Sequence, residues 1–171
     1  MSTILVVEDE PQLRLLYAEF LRLLGYRVCS ARNGREALAL AEQESLQMIV
    51  LDVDLPDMSG VDVLGRLRRG NFAGKVLLLA GARDEAMLGR VHEWGEADVM
   101  GKPFGLEDLA RVVCNRLAPG GEERHRAGGS KGVMHGERDE RFVGEGQGMK
   151  RRAAFGGVFA LAEDLIHGRM P

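Results

Sequence analysis

Three carboxylates stand at the ends of short apolar runs: Glu8 and Asp9 directly after residues 4–7 (ILVV), and Asp52 directly after residues 48–51 (MIVL). If both runs are strands ending at the same edge of one sheet, the three acids meet. At an effective dielectric of about 20, two unit charges about 4 Å apart repel by roughly 4 kcal/mol, and a third charge adds to that. Such a cluster shares a proton or holds a cation. Carboxylate oxygens with no neighbouring His or Cys suit a hard cation such as Mg²⁺, which takes one or two carboxylates and completes its shell with waters and phosphate oxygens. A plainer reading also stands, because acidic residues are favoured at helix N-termini and Glu8 and Asp9 could simply cap the next helix. Lys102 has the same two readings: an exposed lysine near a helix start, or, being just before Pro103 at a strand end, a side chain held in a turn.

The elements around these residues decide whether they can meet. Apolar runs at residues 4–7, 26–29, 48–51 and 76–79, with a weaker fifth at 97–100, alternate with amphipathic stretches of about a dozen residues. Near-continuous apolar strands imply burial on both faces, as in a parallel sheet covered by helices. The first helix should begin at Pro11 and stop at Gly25, residues suited to a first helical position and to a left-handed cap. The second should open at Asn33 with Glu36 three residues on. Three more are expected at residues 61–69, 84–94 and 106–117. Five βα units imply right-handed crossovers and an open α/β fold, a doubly wound parallel sheet. In that fold ligands bind at the carboxyl ends of the strands, where the strand order switches.

Beyond Leu117 the composition changes. Residues 119–152 are rich in Gly, Arg and Glu and poor in large apolar side chains, so they cannot bury enough area to offset their ordering entropy and read as a linker or tail. Residues 153–171 hold one apolar stretch that could form a short helix, weakened by Gly156 and Gly157. The expected organisation is thus a domain over 1–118, a linker over 119–152 and a short helix over 153–171. A helix-turn-helix would need a second amphipathic helix with basic recognition residues, and none is seen.

Charge and composition narrow the function classes. The chain carries a net charge of -3 with a pI near 5.9, so it has no overall basic field for nucleic acid or acidic membrane. Residues 1–117 hold 18 Asp and Glu against 14 Lys and Arg. The basic cluster Lys150, Arg151 and Arg152 reads as solvated tail. Cys29 and Cys114 look like free, buried thiols of a reducing compartment. With no basic start and no long apolar run, the expected location is the cytoplasm. The four histidines, His92, His125, His135 and His167, show no metal-ligand spacing, and Trp94 reads as packing, on a stripe with Leu88 and Val91.

The segments ILVVEDE, MIVLDVDLPDMSG and VMGKPF, in this order and at these separations, resemble the receiver domain of bacterial response regulators over roughly residues 2–117. The resemblance implies a flavodoxin-like (βα)5 sheet of order 2-1-3-4-5. It implies a phospho-accepting Asp52 followed by Pro56 and Gly60, an acidic pair at Glu8 and Asp9, and an invariant lysine at Lys102 ahead of a Lys-Pro bond that is often cis. It also implies a Mg²⁺ or Mn²⁺ ion held by Asp9, Asp52 and the backbone carbonyl of Asp54, with Glu8 acting through water. A histidine kinase or phosphotransfer protein would be the donor. A downstream protein would read the face made by the fourth helix, fifth strand and fifth helix. Catalysis by the chain would extend no further than its own phosphorylation and dephosphorylation. Two positions depart from the family: Ala80 stands where a Thr or Ser is usual and Val99 where a Tyr or Phe is usual. A weakened switch is the consequence. The alternatives left open are a transcriptional regulator with a truncated or cryptic output module, and an interaction module that works without phosphorylation.

Overall fold

The computed structural model describes residues 1–81 and 89–118, with His92 described by its backbone only. Five parallel strands, β1 (Thr3–Val7), β2 (Arg27–Ala31), β3 (Met48–Asp52), β4 (Lys75–Ala80) and β5 (Asp98–Gly101), form one sheet in the order β2-β1-β3-β4-β5. Between them run α1 (Pro11–Leu23), α2 (Gly34–Gln43) and α3 (Gly60–Arg69), and α4 (Leu106–Leu117) comes after β5. The order reverses at β1, which pairs with β2 on one side and β3 on the other. Every residue of β1 and β3 is buried, as expected of central strands covered on both faces. Alternate strand residues face opposite ways. Leu5, Val7, Ile49, Leu51, Val76 and Leu78 pack with α2 and α3 side chains in one core. Ile4, Val6, Val50, Leu77 and Leu79 therefore serve the other layer, where α1 meets α4.

The helix ends obey their chemistry. α1 starts on Pro11, and Gly25, just past its cap, takes φ +90, a conformation that glycine adopts without a Cβ penalty. The Asn33 side chain accepts from the Glu36 amide at 2.9 Å, while the Glu36 carboxylate accepts from Arg32 N–H at 3.0 Å rather than from Asn33. The expected strand at 26–29 lies two residues further on at its far end, because β2 is an edge strand that mixes exposed Arg27 and Ser30 with buried Val28 and Ala31 and so gives no continuous apolar run.

The fourth helix expected over 84–94 is corrected where it can be seen. Residues 82–88, including Asp84 and Leu88, lie outside the described residues, and Val91–Trp94 forms a 3₁₀ turn closed by Gly95 at φ +91. An i,i+3 apolar pair such as Val91 and Trp94 fits a 3₁₀ turn as well as an α-helix. Trp94 does pack, but on α3: a Cβ added to Gly65 would lie 2.8 Å from the indole, and Arg69 sits 4.8 Å from the ring centroid. The two cysteines are free as expected but only half-buried. Residues 119–171, which hold the expected linker and short helix, lie outside the described residues. Among the described residues no helix is long and apolar enough to cross a membrane.

Candidate functional site

The switch point brings the carboxyl ends of β1 and β3 side by side, with Val7 opposite Leu51. One residue further along each chain are Glu8 and Asp52, both buried, and beyond Glu8 the exposed Asp9. Ligand-type oxygens of Glu8, Asp9 and Asp52 lie within 4.8 Å of one another. Lys102, one residue past β5, crosses to them: its Nζ is 2.9 Å from Asp52 Oδ2 and 3.6 Å from Glu8 Oε2. Its backbone N–H donates to the Ala80 carbonyl at 2.7 Å, which ties it to the end of β4. The Lys102–Pro103 bond is cis. The four residues that the sequence singled out for chemistry are thus brought together, and they line a cleft of about 510 Å³ with Glu10, Asp54, Leu55 and Pro56.

Burial sets the electrostatics. Glu8 is 2% exposed, and loss of hydration, together with the charge of Asp52, pushes its carboxyl up to about 7. Burial alone would lower the Lys102 ammonium, but the hydrogen bond and charge of Asp52 and the charge of Glu8 outweigh it and leave Lys102 raised. Tyr17 on α1 stacks at 5.7 Å on Phe104, and burial with the nearby Glu8 charge pushes its phenol up to about 12.

The donor set fits a hard divalent cation. Glu8 Oε2 is buried and makes no hydrogen bond, and the cleft is lined by carboxylates with no His or Cys. A cation there would neutralise three acids that one ammonium only partly offsets. Asp54 is exposed at the cleft, with its N–H 3.4 Å from Asp52 Oδ1.

The loop after β3 is packed tightly where it enters α3. Gly60 N–H donates to Val53 carbonyl at 2.8 Å, and a Cβ on Gly60 would lie 2.2 Å from the Asp52 carbonyl oxygen. Only glycine lets α3 start this close. Two further residues at the site were not singled out by the sequence. Arg14 donates to the carbonyls of Glu8 and Asp9, at 2.7 and 3.0 Å. Asp57 accepts from the Gly34 and Arg35 amides at 2.8 and 3.0 Å, capping α2 from the β3–α3 loop, and those backbone donors outweigh its slight burial and hold its carboxyl below the usual range. A basic residue in a helix's first turn, where acids are favoured, was the signal available for Arg14. Ala80 is buried at 3% exposure and Val99 packs half-buried against the same core, so neither brings a polar group to the cleft.

A doubly wound parallel sheet with an acidic cleft at its switch point is the architecture of a ligand-binding α/β domain. The family model of the response regulator receiver domain matches residues 4–114, and the chain belongs to that family. Among curated proteins it is 38% identical to the transcriptional regulatory protein KdpE of Mycobacterium tuberculosis over 113 residues, 66% of this chain and 50% of KdpE. It is 42% identical to the alkaline phosphatase synthesis transcriptional regulatory protein PhoP of Bacillus subtilis over 113 residues, 64% of this chain and 46% of PhoP. The chain thus spans about half the length of these relatives. Among solved structures, the response regulator TrrA of Thermotoga maritima, in complex with Mg²⁺-BeF, aligns with TM-score 0.61 at 32% identity, over 68% of this chain and 100% of that one. Phosphorylation and Mg²⁺ binding are typical of the family, whose members work with histidine kinases and downstream partners.

Proposed function

We propose that this chain is a phospho-acceptor of a two-component phosphorelay, taking a phosphoryl group onto Asp52 from a histidine kinase or phosphotransfer protein. The observation that carries the reading is Lys102 Nζ at 2.9 Å from an Asp52 carboxylate that shares its cleft with Glu8 and Asp9. An Asp52 oxygen forms the new bond to phosphorus as the P–N bond of the donor phosphohistidine breaks, the bonding pair leaving with the imidazole nitrogen. Such a transfer asks mainly for positioning and neutralisation of charge. Lys102 supplies one positive charge. Asp9, Asp52 and the Asp54 carbonyl would hold Mg²⁺ or Mn²⁺, with Glu8 acting through water, and the bound cation would neutralise the phosphoryl oxygens. On this reading the chain is not an enzyme beyond its own phosphorylation and dephosphorylation, and it acts in the cytoplasm.

Ala80 and Val99 support a weakened switch, because neither a methyl group nor an isopropyl group can make or track a hydrogen bond to a phosphoryl oxygen. A downstream protein would dock on the side of the domain that carries β5 and α4. A second reading, a transcriptional regulator with a cryptic or truncated output module, is supported by the names of the relatives KdpE and PhoP. The direct test is intact-mass analysis after incubation with a small phosphodonor, with and without Mg²⁺. One added phosphoryl group is expected only with the cation and not in Asp52→Asn, and equal labelling of that variant would overturn the assignment.

A further inference from the structure

The carboxylates of Glu8 and Asp9 ride on a connection only three residues long, Glu8 to Glu10, between β1 and α1. Small rotations of its peptide units would swing them apart, and their mutual repulsion favours that. Two devices hold the connection. The Glu10 N–H donates to Glu8 Oε1 at 3.2 Å, steadying that carboxylate from within the loop. Arg14 reaches back from the start of α1, and its Nη1 donates to both the Glu8 carbonyl at 2.7 Å and the Asp9 carbonyl at 3.0 Å.

This is a costly place for a cation. The positive end of the helix dipole disfavours it, α1 has no acidic residue in its first turn, and the Glu10 side chain makes no capping bond. A guanidinium beside a cation site also repels the cation that the site would bind. Charge alone therefore gives Arg14 no useful role here, whereas its hydrogen bonds do. We propose that Arg14 is the positioning residue of the divalent-cation site, gripping the two carbonyls so that Glu8 and Asp9 already face Asp52 before a cation arrives. The inference rests on reading the cleft as a Mg²⁺ site.

The two roles differ in sign, which makes them separable. If Arg14 acted through charge, removing it would tighten Mg²⁺ binding. As a positioning residue its loss weakens binding, and groups that orient metal ligands are typically worth about 10–100-fold in affinity. Calorimetric titration of the full-length chain with MgCl₂ should give about tenfold weaker binding for Arg14→Met than for the parent. Arg14→Lys, which keeps the charge and can still donate to a carbonyl, should recover part of the loss. At about 1 M salt, where the Debye length falls to about 3 Å, the repulsion that Arg14→Met relieves is already screened, so the loss relative to the parent should grow. Unchanged or tighter binding by Arg14→Met overturns the proposal. So does a lower melting temperature in EDTA with Mg²⁺ affinity intact, because Arg14 would then serve only the fold. If Arg14→Met does not fold, Arg14→Gln, which keeps one shorter donor, carries the same comparison. A parent that binds no Mg²⁺ at all would instead remove the reading of the cleft, and this inference with it.

Discussion

The acidic cleft and the apolar region beside it are built on different principles. At the ends of β1, β3 and β5, charged groups lie within hydrogen-bonding or ion-pairing distance: Asp52, Glu8 and Lys102 constrain one another, and Arg14 and Gly60 fix the backbone beneath them. Along β4, the start of β5 and the turn at Val91–Trp94, packing dominates: Ala80 and Val99 fill core space, and Trp94 lies on Gly65. Apolar packing is nearly indifferent to a charge placed some ångströms away, whereas a hydrogen-bonding group is not. On the proposed function, the first region would perform the chemistry and the second would register it through backbone movement.

Two glycines test that separation most severely. In Gly60→Ala the new Cβ lands 2.2 Å from the Asp52 carbonyl oxygen and 2.9 Å from Val53 Cα, and backbone cannot step aside cheaply. Its cost should reach or exceed the upper end of the roughly 1–3 kcal/mol typical of overpacking, and it should slow phosphorylation of whatever fraction folds. In Gly65→Ala the Cβ meets Trp94 Cε2 at 2.8 Å, and a side chain near the surface can swing away. That variant should lose about 1 kcal/mol, shift the Trp94 emission and phosphorylate at the parental rate. Urea unfolding, fluorescence and phosphoryl incorporation read the three quantities. Equal slowing in both variants would break the separation.

The pH dependence of stability sharpens it within the charged region. Glu8 is raised from 4.5 to about 7 in the folded protein, so between these pH values the folded chain binds more protons than the unfolded one. Without a divalent cation, stability should therefore fall as pH rises through that window, by up to about 3 kcal/mol at one pKa unit per roughly 1.4 kcal/mol. The other shifted groups act elsewhere. The raised Lys102 contributes stability that is lost only as pH climbs above 10.5, and the lowered Asp57 contributes stability that is lost only as pH drops below 3.8. Thermal melts in EDTA from about pH 5 to 8 should show the decline, Glu8→Gln should flatten it, and Mg²⁺, which needs ionised carboxylates, should offset it at the alkaline end. A Glu8→Gln variant with the parental slope would assign the effect to another group.

What the sequence made legible divides along the same line. Central strands announced themselves as unbroken apolar runs because both faces are buried, and the residues with chemistry stood at their ends, so β1, β3, Glu8, Asp9, Asp52 and Lys102 came together as expected. β2 came out displaced because this edge strand mixes polar and apolar residues, and Val91–Trp94 came out as a 3₁₀ turn because a three-residue spacing does not distinguish the two helices. Arg14 and Asp57 were missed for another reason, although the basic residue in the first turn of α1 was a weak sign of Arg14. Each acts on backbone carbonyls or amides, which every residue has, so no partner residue type marks the contact in the sequence.

The smallest expected effect concerns Ala80, and it asks whether one hydroxyl joins the two regions. A hydroxyl at the end of β4 could donate to a phosphoryl oxygen, and a charge-assisted bond of that kind is worth about 1.5–3 kcal/mol. Ala80 forgoes it. A ligand shifts a two-state equilibrium only by its differential affinity for the two states, so forgoing about 1.5 kcal/mol reduces the shift roughly tenfold. Ala80 is 3% exposed, so the two extra heavy atoms of Thr need room, and Ala80→Ser, with one, guards against an effect of packing alone. With Mg²⁺ and beryllofluoride, a stand-in for the phosphoryl group, amide NMR shifts in the parent should change mainly near Asp52, Asp54 and Lys102. In Ala80→Thr and Ala80→Ser they should spread through residues 80–100, including Trp94 and Val99. If the parent already responds strongly across β5 and α4, the signal crosses without the hydroxyl, and the apolar shoulder is itself the conductor.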